Sequence, residues 1–403
     1  MKILFVSPFL PWPQNIGVAL RMNSILTALQ LIAKVDCVFF GDENHIKKLP
    51  AGVTPRVIKV LPFPDLLKNP FLGQLLKLIP PENREWWLSY LPGFHLFYPS
   101  SNELNKQFSN INITQYDLIF FVRIPTLWWL RWKSQIPTVV DIDDVMHLGL
   151  LNSNQSENKF IKKIFKKWHY FNVKIAEISS LSLASAGFVC SDNDAKSLNN
   201  RKINILPNIF PDRGQLQREI AVVNSPIILF VGALVYKPNR EALDYFIKEI
   251  FPLIKKSCPK AVLRIVGRTA VDQRFSWSNE EGIEFLGTVE NIDPIIETAA
   301  IEVCPMLYGL GTRIKILEAL SFGKCVVSTS VGAHGIDLNE HSGLYRADTP
   351  ETFANTCVSL LNDLALRQSL APFAREGVSK CYGQDRVNSI INKVVLEVTG
   401  RQK

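Results

Sequence analysis

Short apolar runs alternate with longer stretches of helical spacing along most of this chain. Lys2–Val6 (KILFV), Val35–Phe40 (VDCVFF), Asp117–Val122 (DLIFFV) and Pro137–Ile142 (PTVVDI) are too short for helices. They predict strands covered on both faces, as in a parallel sheet. Between the first two, Arg21 to Leu31 carries Ile25, Leu26 and Leu29 at helical spacing. GFVC and INILPNI close the first half, and the logic then restarts. Ile227–Val231 runs into Gly232, a helix is expected from about Asn239, and AVLRIVG and GIEFLG end on Gly267 and Gly287. Two rounds of strand–helix alternation predict an α/β chain of two Rossmann-like halves. PDRGQLQREIAVVNSP, residues 211–226, is the expected linker, and the tail from 375 is expected to be helical.

The densest pattern is 301–337, IEVCPMLYGLGTRIKILEALSFGKCVVSTSVGAHGID. It predicts a buried strand, a glycine loop with Gly309 and Gly311, a helix N-capped by Thr312, a second strand, and a loop with Gly332 and Gly335. Ile314, Leu317 and Leu320 line the inner helix face, and Gly323 stops it. Glycine loops at one end of neighbouring parallel strands let backbone N–H groups approach an anion. Glu318, two turns into the helix, suits a pair of adjacent hydroxyls such as a ribose presents. The alternative is a surface carboxylate paired with Lys315.

At 403 residues with 47% apolar and 20% charged residues, the chain is an ordered globular protein of two domains of about 200 residues each. Seven scattered cysteines form no CxxC pair, which points away from zinc and from a disulfide framework and fits a reducing cytoplasm. The first residues, MKILFVSPFLPWP, lack the pattern of a secretory signal. No apolar run is long enough to span a bilayer. The net charge of +8 favours an acidic partner: anionic lipid, nucleic acid or a phosphorylated substrate.

Two stretches bear on lipid. Residues 62–99 gather Trp86, Trp87, Tyr90, Phe94, Phe97 and Tyr98, rings suited to a membrane interface or to filling core. In 160–178 an amphipathic helix is expected, with Ile161, Ile164, Phe165, Trp168, Phe171, Ile175 and Ile178 on one face. Lys162, Lys163, Lys166 and Lys167 share the other face. Near an anionic leaflet each lysine contributes about 1 kcal/mol, so four make a reversible anchor while the apolar face packs inward. The alternative is an ordinary core helix with a lysine outer face. No nucleic-acid-reading module accompanies the lysines, so nucleic acid is not the expected partner.

Asp141, Asp143 and Asp144 come at the end of a predicted strand, on the ligand side of an α/β sheet. Asp141 and Asp143 either contact a substrate or cap the next segment. An Asp-X-Asp metal site is discounted because the downstream pattern is of another type.

GLGTRIKILEAL, with the apolar strand and glycine loop that follow, resembles the donor-site motif of retaining, nucleotide-sugar-dependent glycosyltransferases of the GT-B fold, GT4-like group. The resemblance covers the second half well and the first half loosely. It implies two Rossmann-like domains facing a central cleft: 1–210 for the acceptor, 211–374 for the donor, and 375–403 returning to the first domain. It further implies that Lys237, Arg313 and Glu318 serve catalysis and that Gly17, Gly232, Gly267, Gly309, Gly311, Thr312, Lys315 and Gly332 hold the donor. Arg21, Asp141, Asp143 and His147 fall on the acceptor side, with His95 a second histidine candidate. No metal or other cofactor is required on this pattern. Two departures stand out: Ala233 replaces the usual arginine, for which Arg313 or Lys315 can substitute, and Leu310 replaces a second glutamate.

The expected activity is hexosyl transfer from a nucleotide diphosphate sugar to a hydroxyl of a glycan or lipid-linked acceptor, in surface polysaccharide or glycoconjugate synthesis. The expected location is cytoplasmic, peripheral on the inner face of the cell membrane. Two alternatives stand beside it. One is a different enzyme on the same plan, an epimerase or a phosphorylase. The other is a sugar-nucleotide-binding scaffold in a membrane glycan complex.

Overall fold

The computed structural model describes residues 1–12, 17–41, 56–63, 74, 77, 102–130, 132–133, 135–148, 160–269, 275, 277, 280–309 and 311–401, with the backbone alone for 102–103 and 160–166. The aromatic residues Trp86, Trp87, Tyr90, Phe94, Phe97 and Tyr98, with His95 and Leu310, lie outside these residues. The chain forms two compact units, residues 1–207 with 384–403 and residues 208–383.

The first unit holds strands β1 (Lys2–Ser7), β2 (Lys34–Phe40), β3 (Arg56–Leu61), β4 (Leu118–Val122), β5 (Thr138–Asp143), β6 (Ala186–Val189) and β7 (Ile203–Ile205). They form one parallel sheet in the order β3-β2-β1-β4-β5-β6-β7. Its helices are α1 (Gly17–Ile32), α2 (Asn102–Ser109), α3 (Ile124–Trp129), α4 (Phe160–Ser182), α5 (Asp192–Leu198) and, from the far end of the chain, α12 (Gln384–Thr399). Crossover helices cover both faces, so β1, β4 and β5 are apolar almost throughout and buried. Phe5 stacks on Phe120 at 5.8 Å, and Phe120 on Phe188 at 6.2 Å, a row of rings running across the sheet. Each such side chain contributes about 1.5–3 kcal/mol of burial.

The second unit repeats the plan with β8 (Ile227–Val231), β9 (Val262–Val266), β10 (Ile283–Gly287), β11 (Ile301–Cys304), β12 (Cys325–Ser328) and β13 (Leu344–Arg346). They are again all parallel, in the order β10-β9-β8-β11-β12-β13. Its helices are α6 (Lys237–Tyr245), α7 (Phe251–Ser257), α8 (Asp293–Thr298), α9 (Ile314–Ser321), α10 (Pro350–Asn362) and α11 (Leu364–Tyr382). Helix α6 begins at Lys237, two residues before the expected start, with Pro238 in its first turn, where a missing N–H costs nothing.

Three expectations about segments change. Residue 375 lies inside α11, and the segment that joins the first unit starts only at Gln384, whose side-chain amide donates to the Ser24 carbonyl in α1 at 3.0 Å. The expected linker, 211–226, is tied into the second unit. Gln215 is fully buried on Ser321 Oγ, Lys324 donates to the Ala221 carbonyl, and Arg367 to that of Val223. Helix α4 is turned over. Its inner face is His169, Val173, Ala176, Glu177, Ser180 and Leu181, whereas Trp168, Phe171, Ile175 and Ile178 are exposed. On that face Glu177 accepts from the Met146 N–H at 2.6 Å and pairs with His147.

Arg21 fixes α1 against the sheet. Its guanidinium, 3% exposed, makes two hydrogen bonds to the Asp141 carboxylate, at 2.6 and 2.9 Å, and donates to the Leu206 carbonyl at 2.9 Å. Arg21→Leu leaves a buried carboxylate and a carbonyl without their donor. It should cost about 3–5 kcal/mol of stability, read as a lowered urea midpoint. The pair replacement Arg21→Leu with Asp141→Leu should recover part of that loss.

Candidate active site

In the second sheet the chain leaves β8 toward β9 on one side, while β11 takes the other, so β8 and β11 flank the point where strand order reverses. Loops after the carboxyl ends of such strands form the ligand edge of an open α/β sheet. Gly232 ends β8, and a Cβ there would meet Asn239 and the Lys315 ammonium at 3.0 Å. Its missing side chain is what admits Lys315. That residue is half-buried, with its ammonium 3.2 Å from Asn239 Oδ1 and 4.8 Å over the Phe230 ring. Burial pushes the Lys315 pKa down, and it pushes the fully buried Glu302 carboxyl of β11 well up.

The loop after β11 carries Gly309 and Gly311 at φ 123° and 77°, backbone that side chains rarely adopt. A Cβ at Gly309 would lie 2.4 Å from the Arg313 guanidinium, which folds under the loop toward the Gly311 and Tyr308 carbonyls. Tyr308 donates to Glu241 at 2.6 Å, and the same carboxylate pairs with Lys237 at 3.4 Å. Lys237 is exposed at the start of α6.

Arg313, not Thr312, is the N-cap residue of α9, and no side chain caps the helix. Thr312 is buried and its hydroxyl finds no partner among the described residues. The first turn holds no acid, while Arg313 and Lys315 place two cations at the positive end of the helix dipole. That arrangement is unfavourable unless an anion joins it.

The expected N–H approach to an anion is corrected at Gly332, and the N–H groups of Gly232 and Gly267 are engaged as well. The N–H of Gly232 donates to the Val266 carbonyl, that of Gly267 to Gly287, and that of Gly332 to Thr329 Oγ1. These glycines are needed for close approach instead. A Cβ at Gly267 would fall 1.8 Å from the Gly232 oxygen, and one at Gly332 would fall 2.6 Å from that of Cys304. Gly17 lies in the other unit, exposed at the start of α1.

Glu318 pairs with Arg213 and not with Lys315. Its Oε1 takes a 2.7 Å bond from Arg213, whose Nε reaches Asp293 at 2.7 Å, and Arg218 also holds Asp293 at 3.0 Å. Burial pushes the Glu318 carboxyl up, and Arg213 opposes that rise. Sequence reasoning missed Arg213 because it sits in a polar stretch between prolines that looks like linker. Asn239 and Glu241 were equally hidden, being ordinary first-turn helix residues.

In the first unit the acceptor-side candidates face one another. Asp143, at φ 63°, pairs with Arg123, lies 3.4 Å from Arg21 Nε, and accepts from the Cys190 thiol at 2.9 Å. Burial, helped by the charge of Asp143, pushes Asp144 up to about 6. Asp143, Asp144 and Cys190 converge enough to hold a cation in principle. Two guanidiniums already compensate this cluster, so a cation would meet Arg21 and Arg123. His147 is fully buried, with Nδ1 on Glu177, so it offers no exposed nitrogen.

Removing Arg213 should leave the burial of Glu318 unopposed. Arg213→Ala is therefore expected to move the Glu318 titration to higher pH. Carboxyl 13C shifts, assigned with Glu318→Gln, measure this, and an unmoved midpoint would refute the pairing. The linkage has a definite sign. A carboxyl raised in the folded state loses stability as pH climbs through the interval between its unfolded and folded values, so the variant should lose more than the parent there.

Residues 225–363 match the family described as "Glycosyl transferases group 1". The chain is 24% identical to an "Uncharacterized 44.6 kDa protein in cps region" of Klebsiella pneumoniae, over 97% of this chain and 99% of that one. Among solved structures it resembles a sucrose-phosphate synthase from Thermosynechococcus elongatus, with a TM-score of 0.64 at 17% identity and 100% of both chains covered. Anabaena Alr3699/HepE in complex with UDP gives 0.63 at 14%, covering 98% of this chain and 100% of that one. WaaG, a glycosyltransferase involved in lipopolysaccharide biosynthesis, gives 0.60 at 14%, covering 99% and 100%. The chain has the GT-B fold of two Rossmann-like domains, and the family match falls within its second unit.

Proposed function

We propose that this protein transfers a hexosyl group, with retention, from a nucleotide diphosphate sugar to a hydroxyl of a glycan or lipid-linked acceptor in surface polysaccharide synthesis, at the inner face of the cell membrane. The observation that carries this is the start of α9, a helix end with no side-chain cap, two cations and no acid in its first turn. A diphosphate is the anion that fits. The UDP in the similarly folded HepE complex and the cps-region relative support the same direction.

In the transfer, the bond from the sugar's C1 to the diphosphate oxygen breaks and the acceptor oxygen bonds to C1. The departing diphosphate takes the electron pair, and its oxygen accepts the hydroxyl proton. Arg313, Lys315 and the first-turn N–H groups of α9 face the charge that develops on the leaving oxygen, where fixed donors contribute most. Glu318 keeps Oε2 for a ribose hydroxyl while Oε1 stays with Arg213. Lys237, exposed, is free to swing from Glu241 toward phosphate. No metal is needed for this charge balance.

The test is a thermal-shift panel of UDP, GDP, ADP, CMP and dTDP in EDTA. One nucleotide at 100 times its Kd should stabilise the protein by about 2.7 kcal/mol. Glu318→Ala should weaken that binding by about 1–3 kcal/mol. Lys315→Met should weaken the diphosphate and leave the matching nucleoside unaffected. Equal losses for both would place Lys315 elsewhere than on the phosphates. Binding without sugar transfer to any hydroxyl acceptor would instead identify a sugar-nucleotide-binding scaffold.

A further inference from the structure

Helix α4 presents an apolar stripe to solvent. Trp168, Phe171, Ile175 and Ile178 are 52%, 58%, 60% and 40% exposed. Their spacing of three and four residues sets them in one row along the helix. The opposite side is fully engaged, since Val173, Ala176 and Leu181 pack into the unit and Glu177 holds Met146 and His147. Rotating the helix to hide the stripe would strip Glu177 of both partners. The stripe is therefore a surface and not a misplaced core face.

We propose that this face of α4 docks onto an anionic lipid bilayer. Lys167 follows the stripe one turn before Phe171, and Lys174 one turn before Ile178, so ammonium groups flank the apolar row. Lys174 also lies over the Tyr170 ring at 5.9 Å. Glu177, the one acid in α4, points inward and is buried, leaving the outward face with no negative charge. Large apolar side chains with flanking lysines insert into the headgroup region and pair with anionic headgroups. The chain's net charge of +8 acts in the same sense at longer range. A second copy fits less well, because a two-fold contact on this stripe brings lysines near lysines with no acid between them. The anchor thus works by apolar insertion with lysines at its edge, rather than by a lysine face with the apolar residues inward. It deepens the proposed membrane location, and because the assay needs no substrate it stands or falls apart from sugar transfer.

The experiment is co-sedimentation of the full chain with phosphatidylcholine vesicles, with and without 30% phosphatidylglycerol (about one charged lipid in three). Wild type should bind the anionic vesicles at least ten-fold more strongly than the neutral ones. Trp168→Ser with Phe171→Ser should lower that binding ten-fold or more at an unchanged melting temperature. Lys167→Glu with Lys174→Glu should abolish the preference for phosphatidylglycerol. Trp168 fluorescence should be quenched by brominated lipid, and Trp168→Phe should remove that quenching. Binding undiminished in the Trp168/Phe171 variant overturns the proposal. So does a wild-type dimer in light scattering that the same variant splits while vesicles go unbound, which would make the stripe an interface between copies.

Discussion

Parallel strand pairing is the constraint on which everything else here rests. A parallel strand cannot be joined to its neighbour by a tight turn, so each connection must cross back over a face of the sheet, most often as a helix. All carboxyl ends then gather on one edge. Where the chain first runs outward on one side and later returns on the other, two neighbouring loops diverge and leave room. Gly232 after β8 and the 305–313 loop after β11 occupy that place. The residues there are separated by about eighty positions, yet Lys315 meets Asn239 because the topology requires it.

The second theme is charge held under cover. Arg21, Arg213, Lys324 and Arg367 each reach several carbonyls or carboxylates, and in each case the hydrogen bonds offset the cost of desolvation. Lys315 differs from these. It has one amide oxygen and an aromatic face, and it shares a helix start with a second cation. The scaffold cations are balanced within the unit, whereas Arg313 and Lys315 stand together at a helix start whose first turn holds no acid. Residual positive potential at one rigid point separates a binding site from a structural ion pair.

The strands were legible in the sequence because a strand covered on both faces leaves an unbroken apolar run. KILFV, DLIFFV and IILFV could hardly be anything else in an α/β chain. The glycine loops were legible too, although what their glycines do was not, since a sequence does not tell a free N–H from a steric need. Arg213 was invisible for a different reason. Its partners Asp293 and Glu318 lie 80 and 105 residues away, and no local spacing announces such a pair. Helix α4 shows how an amphipathic pattern reports two faces without saying which one turns inward. Here the inward face combines Val173, Ala176 and Leu181 with a buried acid, Glu177, and leaves the row of larger apolar side chains outside.

The last helix of the chain completes the first unit, with 176 residues of the second unit inserted before it (208–383). During synthesis the amino-terminal sheet therefore emerges from the ribosome long before α12 exists. Until then the surface of α1 that α12 will cover has no partner. The unit that begins first finishes last, and the newborn chain must stay soluble with an open apolar seam while its second half folds. Truncation by some twenty residues at the carboxyl terminus is then a lesion of the amino-terminal half.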